Sequence, residues 1–559
     1  MGYVTEDQLA LQSLYRWEKS RRDQVFLTQP VAGGSVREWT WGQAADEVRR
    51  VAAYLKAQEW EPGTRVAILS RNCAWWMLAD LAIWMAGYVT VPVYPSLKAQ
   101  SVRNILEHSG AKACFLGATD LLETSMAGIP PGEAAVRFPT AAVQDGLRWD
   151  AVVAATPPLS GTPVREMDEL ATIIYTSGTT GVPKGVMHSF SNLAYNAGAL
   201  VKLIGLTEKE RFISYLPLAH IVERAGLECT AVLLGCRVFF AEGVETFIAD
   251  LKRARPTIFL SVPRLLLKIQ QGVFAKIPRE RLETLLRIPI LNRPVKARIL
   301  RQLGLSTVQH AASGAAYLPP EILLWYRKLG LNLSEGYGMT ETLITHLPAP
   351  GSLRPGYVGA ALPGVETKLG EHDELLIRSP MNMMGYYRAP EATLAMFTED
   401  GYIRTGDVAR IEADGQLKII GRVKEQFKTS KGKYVSPAPI ENQFMAHPMV
   451  EACCLMGLGM PHPFAVVLLS EESRQRGADP VERAAVEAAL MDLLNEINRE
   501  LDPHERVSFV AAVYGPWTIG NDAMTPTLKI KRGVLEKRYH AHIDEWSRQH
   551  RPVVWEARN

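Results

Sequence analysis

The residues best suited to chemistry stand together in Tyr175-Thr-Ser-Gly-Thr-Thr-Gly-Val-Pro-Lys-Gly185, directly after the apolar run Thr172–Ile174. Three glycines, Gly178 among them, free the backbone to turn its N–H groups toward an anion. Thr176, Ser177, Thr179 and Thr180 add hydroxyl donors, and Lys184 adds a positive charge. Hydroxyls, glycines and a lysine behind a strand make a cradle for phosphate. The pattern GxxxxGK[ST] does not fit it. Counting from Gly178 puts Pro183 in the glycine position and Gly185 where a Mg2+-binding hydroxyl is required. The phosphate is held by another design.

Such a loop needs rigid elements around it. Thr40 and Gln43 form a capping box, after which Val48, Val51, Ala52 and Leu55 repeat at helical spacing. Val66–Leu69 predicts a strand, a helix runs on through Trp84, and Val89–Val93 predicts a second strand. The alternation recurs at Ala113–Leu116, Thr172–Thr176, Arg237–Ala241 and Thr257–Val262, which implies α/β layers around a largely parallel sheet. Later in the chain, Glu374–Arg378, Gly401–Arg404 and Gln416–Ile420 are short runs separated by Gly and Asp-Gly turns, the pattern of an antiparallel β subdomain. From Lys424 a small α+β unit is expected. Its helix opens at Asp479-Pro480 and sets Val486, Leu490, Leu493, Leu494, Ile497 and Leu501 on one face. The expected fold is α/β, with a large N-terminal domain (1–423) of layered α/β subdomains plus a β subdomain, and a small mobile α+β C-terminal domain (424–559).

Charge narrows the partners. Basic residues number 62 against 59 acidic, a net charge of +3, so nucleic-acid binding through a basic face is not expected. Acidic ligands must be met by local sites. Cys73, Cys114, Cys229, Cys236, Cys453 and Cys454 form no CxxC and lie in apolar stretches, as buried free thiols of a reducing compartment would. Met1–Gln12 carries Glu6 and Asp7 and lacks a leader's apolar run, and Glu6 also spoils a myristoylation start. Trp75 to Tyr94 is the most apolar stretch, but Asp80, Gly87 and Pro92 interrupt it. It reads as a buried helix followed by a strand rather than a membrane span.

The phosphate loop resembles that of the adenylate-forming, or AMP-binding, superfamily, and five further segments follow in the superfamily's order. Ala312-Ser-Gly-Ala-Ala316 is similar to its adenine-side loop, with Gly314 and Ala315 against the base. Gly336-Tyr-Gly-Met-Thr-Glu-Thr342 is similar to its second nucleotide motif, contributing Gly336, Tyr337 and Gly338. Tyr402-Ile-Arg-Thr-Gly-Asp407 resembles the ribose motif and Gly421-Arg-Val-Lys-Glu425 the hinge. Thr525-Pro-Thr-Leu-Lys-Ile-Lys-Arg532 resembles the C-terminal lysine motif.

The resemblance implies an enzyme that uses ATP, Mg2+ and coenzyme A. A carboxylate is a poor electrophile, so it first becomes an acyl-adenylate, with release of pyrophosphate. Glu341 matches the metal carboxylate, suited as a hard oxygen ligand, and Thr340 matches the α-phosphate donor. Tyr337 is expected on the adenine face, and Asp407 and Arg422 on the ribose. Lys529 matches the lysine that swings in for adenylation, with Lys531 a nearby rival. Lys424 matches the pivot of a rotation that prepares thioester formation, and Lys428 through Tyr434, with Gly432, resembles the pantetheine loop.

Tyr215-Leu-Pro-Leu-Ala-His-Ile-Val-Glu-Arg224 and Pro256-Thr-Ile-Phe-Leu-Ser-Val-Pro-Arg264 resemble the long-chain fatty acyl branch, with His220 beside the acyl carboxylate. Amino-acid-activating relatives hold the substrate ammonium with an Asp in this region, and none occurs between Arg211 and Ala241. A medium- to long-chain fatty acid and coenzyme A are the implied substrates. A carrier-protein thiol or an internal hydroxyl as acceptor stays open, as does a non-catalytic nucleotide- or lipid-binding relative. The implied enzyme is cytoplasmic, a monomer or homodimer, with peripheral membrane contact open because a fatty acid comes from a membrane.

Overall fold

The computed structural model describes residues 4–31, 34–120, 127–130, 134–142, 146–176, 183–518, 520–525 and 529–557. The capping box forms as read: Thr40 accepts from the Gln43 backbone, and Gln43 reaches back to the Thr40 N–H. The following helix, Trp41–Lys56, buries Val48, Val51, Ala52 and Leu55. Helix Ala74–Met85 is buried on every face, which its uniformly apolar sequence dictates. Its one charged residue, Asp80, is paired at 2.8 Å with the equally buried Arg224.

Eight strands form the main sheet. Its order is Gly385–Tyr386, Lys184–Ser189, Leu170–Thr176, Val89–Val93, Arg65–Leu69, Ala113–Leu116, Ala134–Arg137 and Leu147–Arg148. The pairs are parallel from Leu170–Thr176 to the far edge, and Lys184–Ser189 runs antiparallel to both its neighbours. A second sheet joins Arg211–Ser214, Arg237–Phe240, Val25–Pro30 and Val36–Thr40, and a parallel trio joins Ile258–Ser261, His310–Ser313 and Leu333–Glu335. The expected strands at 237–241 and 257–262 are thus each slightly shorter than read.

An antiparallel sheet of Glu366–Leu369, Glu374–Arg378, Ile403–Ile411 and Leu417–Arg422 supplies the β subdomain. One expectation is corrected here. The run read as ending at Arg404 continues as a nine-residue strand through Asp407, past Gly406 at φ 70° and a bulge after Val408. Asp407 therefore lies within the sheet, in register with Arg422, rather than at a strand end.

Beyond residue 424, strands Val450–Met456, Phe464–Leu469, Val510–Val513 and Val553–Trp555 form a separate sheet with a core on each face. Strand alternation sends Cys453 to one core and Cys454 to the other. Helix Pro480–Glu500, capped by the Asp479 carboxylate at 2.8 Å, covers the first with Val486, Leu490, Leu493, Leu494 and Ile497. Helix Arg532–Tyr539 covers the second. All six cysteines are buried, and none is joined to another by a disulfide.

Candidate active site

The phosphate loop joins two strands of the main sheet, which pair Thr176 with Lys184 at its base. Ser177, Gly178, Thr179 and Thr180 lie outside the described residues. Lys184 directs its ammonium over the Tyr386 ring, 4.8 Å from the centroid. The Tyr386 hydroxyl donates to Glu341 Oε1 at 2.7 Å. Loop base, aromatic ring and buried carboxylate thus form one cluster.

Glu341 and Thr340 are fixed from behind. His188 Nε2 meets the Thr340 carbonyl at 2.6 Å, and because a carbonyl only accepts, Nε2 carries the proton. Burial pushes the pKa of this imidazole down to about 4, so it stays neutral. Burial also raises the Glu341 carboxyl above its ordinary range, opposed by Tyr386, Arg422 and Lys184. A buried carboxylate that is costly as a bare anion is suited to a dication, and Mg2+ takes few protein ligands, completing its shell with phosphate and water. One such carboxylate fits that need.

The ribose-motif residues form a tight clamp. Asp407 Oδ1 accepts from Arg422 Nε at 2.8 Å, and Oδ2 accepts from the Tyr337 hydroxyl at 2.5 Å. Each oxygen keeps a lone pair for a further donor such as a sugar hydroxyl. Burial raises this carboxyl's pKa, and Arg422 is the largest opposing influence. Gly336 N donates to Ser313 O at 2.9 Å, tying the second nucleotide motif to the loop of Gly314 and Ala315. Ala315 has φ 65°, a left-handed conformation that is strained for a residue with a Cβ. At Gly338 an added Cβ would stand 2.1 Å from Leu343 O, so no side chain fits there.

Lys529 faces these groups from the C-terminal unit. Its loop is braced where Thr525 N donates to Lys529 O at 2.8 Å and Lys529 N donates to Thr525 Oγ1 at 3.1 Å. The side chain remains open to solvent but stands within a cleft, with protein on several sides. That partial enclosure, then the Arg422 guanidinium, lowers its pKa from the ordinary lysine value, while Asp407, Glu425 and Glu341 oppose the shift. Lys531 is held elsewhere, in a 2.6 Å ion pair with Asp522. Arg532 anchors the segment in the unit's core, donating to Glu441 Oε1 and Leu455 O, both at 2.6 Å.

His220 lies within electrostatic reach of Lys529. Burial, then that ammonium, lowers its pKa to about 4. Its Nδ1 accepts from Val222 N at 3.2 Å, so the neutral ring carries its proton on Nε2. The approach to His220 is pinned by Asn72, which donates to Leu216 O at 2.5 Å and accepts from Leu218 N at 2.9 Å. Glu223, on a π-helical segment Val222–Cys229, accepts from Ser214 Oγ and Tyr215 N.

Thus Thr176, Lys184, Gly314, Ala315, Gly336, Tyr337, Gly338, Thr340, Glu341, Asp407, Arg422, His220 and Lys529 line or approach one cleft. Lys424, Lys428 and Gly432 are exposed, and among the described residues no hydrogen bond or ion pair joins their side chains to it. Sequence reasoning missed His188, Tyr386, Asn72 and Glu223. His188, Tyr386 and Asn72 stand in none of the motifs and act through contacts between distant segments, whereas Glu223 lies within the Tyr215–Arg224 segment, where the resemblance gave it no role.

Two family models match the chain: AMP-binding enzyme over residues 14–387, and AMP-binding enzyme C-terminal domain over residues 424–550. The chain is 31% identical to the peroxisomal long chain acyl-CoA synthetase 6 of Arabidopsis thaliana, over 91% of this chain and 82% of that one. It is 30% identical to the long-chain-fatty-acid–CoA ligase FadD15 of Mycobacterium bovis, over 95% and 96%. Among solved structures, the adenylation domain of a carboxylate reductase from Mycobacterium chelonae superposes with a TM-score of 0.81 at 23% identity, over 97% of this chain and 91% of that one.

Proposed function

The chain belongs to the AMP-binding enzyme family, and within it we propose a fatty acyl-CoA synthetase that activates medium- to long-chain acids. The enzyme is an ATP-dependent, adenylate-forming acid–CoA ligase that uses ATP, Mg2+ and coenzyme A. The observation that carries the residue assignment is the convergence of Lys529, from beyond residue 424, with Glu341, Asp407 and Arg422 from the body of the chain.

In the first half-reaction an acid oxygen attacks the α-phosphorus, and the bond from that phosphorus to pyrophosphate breaks. Negative charge builds on the α-phosphate, where Lys529 supplies a counter-charge and Thr340 a hydroxyl donor. Glu341 would hold Mg2+, which neutralises phosphate charge when bound. Asp407 and Arg422 hold the ribose, the segments of Gly314, Ala315, Gly336, Tyr337 and Gly338 enclose the adenine, and Thr176 through Lys184 covers the phosphates. His220 Nε2–H can donate to the acyl carboxylate.

In the second half-reaction the thiol attacks the acyl carbon and AMP leaves. We assign the pivot to Lys424, taken as the start of the C-terminal domain, and the pantetheine contact to Lys428 and Gly432. Support for a fatty acid comes from the names of the two relatives and from the missing ammonium-binding Asp. Carboxylic acid reductase adenylation domains among the fold neighbours favour one second reading, transfer to a carrier-protein thiol. Pyrophosphate release across acetate, decanoate, palmitate and an amino acid, with and without coenzyme A, tests both. A long acid should be preferred, with steady turnover only when coenzyme A is present. A flat chain-length response sinks the fatty-acid reading, and indifference to coenzyme A favours the carrier protein.

A further inference from the structure

Helices Arg279–Arg287 and Pro289–Leu303 form a hairpin whose inner face is well packed. Leu282, Leu286 and Ile299 are buried with Val273 and Leu329. The turn between the helices presents the opposite character. Ile288 is 40% exposed, Ile290 85% and Leu291 38%. That exposure is built into the turn. The Leu291 and Asn292 N–H groups donate to Ile288 O at 3.1 and 2.9 Å, and the Asn292 side chain donates to Leu286 O at 2.7 Å. Single apolar side chains on a surface are ordinary, but three on one ordered turn are not.

The charge around the turn is one-sided. Residues 276–301 contain eight basic side chains against Glu280 and Glu283, while the rest of the chain holds 54 basic against 57 acidic. The near-neutral total therefore conceals a local excess. Arg281, Arg287, Arg293, Arg298 and Arg301 are exposed, and among the described residues none of them is in an ion pair. Arg279 alone is paired, with Glu283 at 3.2 Å.

We propose that this hairpin tip docks on an anionic membrane surface, with Ile288, Ile290 and Leu291 entering the headgroup–acyl boundary and the arginines meeting lipid phosphates. The apolar residues alone would give weak, reversible binding, and each basic residue near an anionic surface adds roughly a five-fold gain. Both halves of the patch are then used. A second copy fits less well, because a two-fold interface would bring each arginine cluster against its own equivalent. Nucleic acid would satisfy the arginines but leave Ile290 in water. The contact is peripheral, since among the described residues no helix is long and apolar enough to cross a membrane. The inference does not depend on the acyl specificity proposed above.

The test is co-sedimentation of the full chain with vesicles of phosphatidylcholine alone or of equal parts phosphatidylcholine and phosphatidylglycerol. The wild type should bind the anionic vesicles, and salt should weaken that binding. Ile290→Asp and the double variant Arg287→Glu, Arg293→Glu should each reduce it about ten-fold or more. Val244→Asp, at a lone site that is also 85% exposed, should leave it unchanged. Activity on a short soluble acid should be equal in all four proteins, which separates lost docking from lost folding. Equal binding to neutral and anionic vesicles, no binding to either, or equal loss in Val244→Asp would overturn the proposal. So would a wild-type dimer that Ile290→Asp splits while vesicle binding stays the same.

Discussion

Two loops of the C-terminal unit, each bearing lysines, stand in opposite surroundings. Lys529 stands beside the nucleotide-site residues, where its ammonium is met by Asp407, Glu341 and the competing charge of Arg422. The loop from Lys428 to Tyr434 turns to solvent, yet it is built with equal care. Its strands pair Lys428 with Tyr434, Gly432 takes φ 77°, Ser430 N donates to Met460 O, and Gly459 N donates back to Lys428 O. A merely solvated lysine run needs no such scaffold. One unit thus carries a lysine already beside the site residues and a second, preformed basic loop that faces solvent, as expected if the unit serves two half-reactions from two orientations.

The sharpest way to break this comparison is Lys529→Ala. Two unit charges about 4 Å apart at an effective dielectric near 20 interact by roughly 4 kcal/mol. If that interaction forms mainly in the transition state, acyl-adenylate formation should fall on the order of 10³-fold. Conversion of supplied acyl-adenylate plus coenzyme A should continue near the normal rate. Lys531→Ala should spare both steps, since that lysine is occupied by Asp522. If Lys531→Ala gives the selective loss instead, the assignment is two residues off.

Lys424→Pro should give the reverse pattern. Proline fixes φ at the proposed pivot without touching a nucleotide contact, so adenylation should survive. Thioester formation should fall on the order of 10²-fold, the scale of a displaced reacting group. Equal loss in both steps would make the position structural, and the two loops would no longer stand for two states. A smaller effect is expected from Glu341→Gln, which keeps the Tyr386 contact but removes the charge. It should weaken the apparent Mg2+ affinity of adenylation roughly ten- to a hundredfold. An unchanged Mg2+ titration would take Glu341 out of the metal site.

Much of the fold was legible because local rules and tertiary structure agree. The Thr40 capping box, the strand at Val89–Val93 and the apolar face of Pro480–Glu500 each follow from spacing alone. The candidate site was legible where a resemblance supplied an ordered motif, as at Asp407 and Glu341. It was not legible where function rests on contacts between distant segments. His188 reaches Thr340 across 152 residues, and Tyr386 reaches Glu341 across 45. No periodicity announces such a pairing. The strand through Asp407 was cut short for a related reason: Gly406 reads locally as a turn, and only its pairing with neighbouring strands holds it in the sheet.

The gentlest test concerns what holds the Lys529 loop to the cleft. Arg264, at the start of helix Pro263–Lys276 in the body of the chain, pairs with Glu451 at 3.0 Å and donates toward Met524 Sδ at 3.7 Å. Glu451 opens the C-terminal sheet, and Met524 bridges to Ile530, beside Lys529. Lys98 adds a second link, donating to Gly520 O at 2.9 Å. The Arg264–Glu451 ion pair is largely exposed, so Arg264→Glu should cost at most about 1 kcal/mol, a two- to five-fold effect. Where two orientations are close in free energy, that is enough to shift their balance. Adenylation should slow by this factor, while the thioester step from supplied acyl-adenylate should hold or quicken. The loss should shrink at high salt, and Glu451→Arg placed with Arg264→Glu should restore much of it, although Arg474, which pairs with Glu451 at 3.4 Å, will limit the rescue. If both half-reactions slow together and the charge swap restores neither, the contact is incidental. Orientation would then rest on the hinge alone.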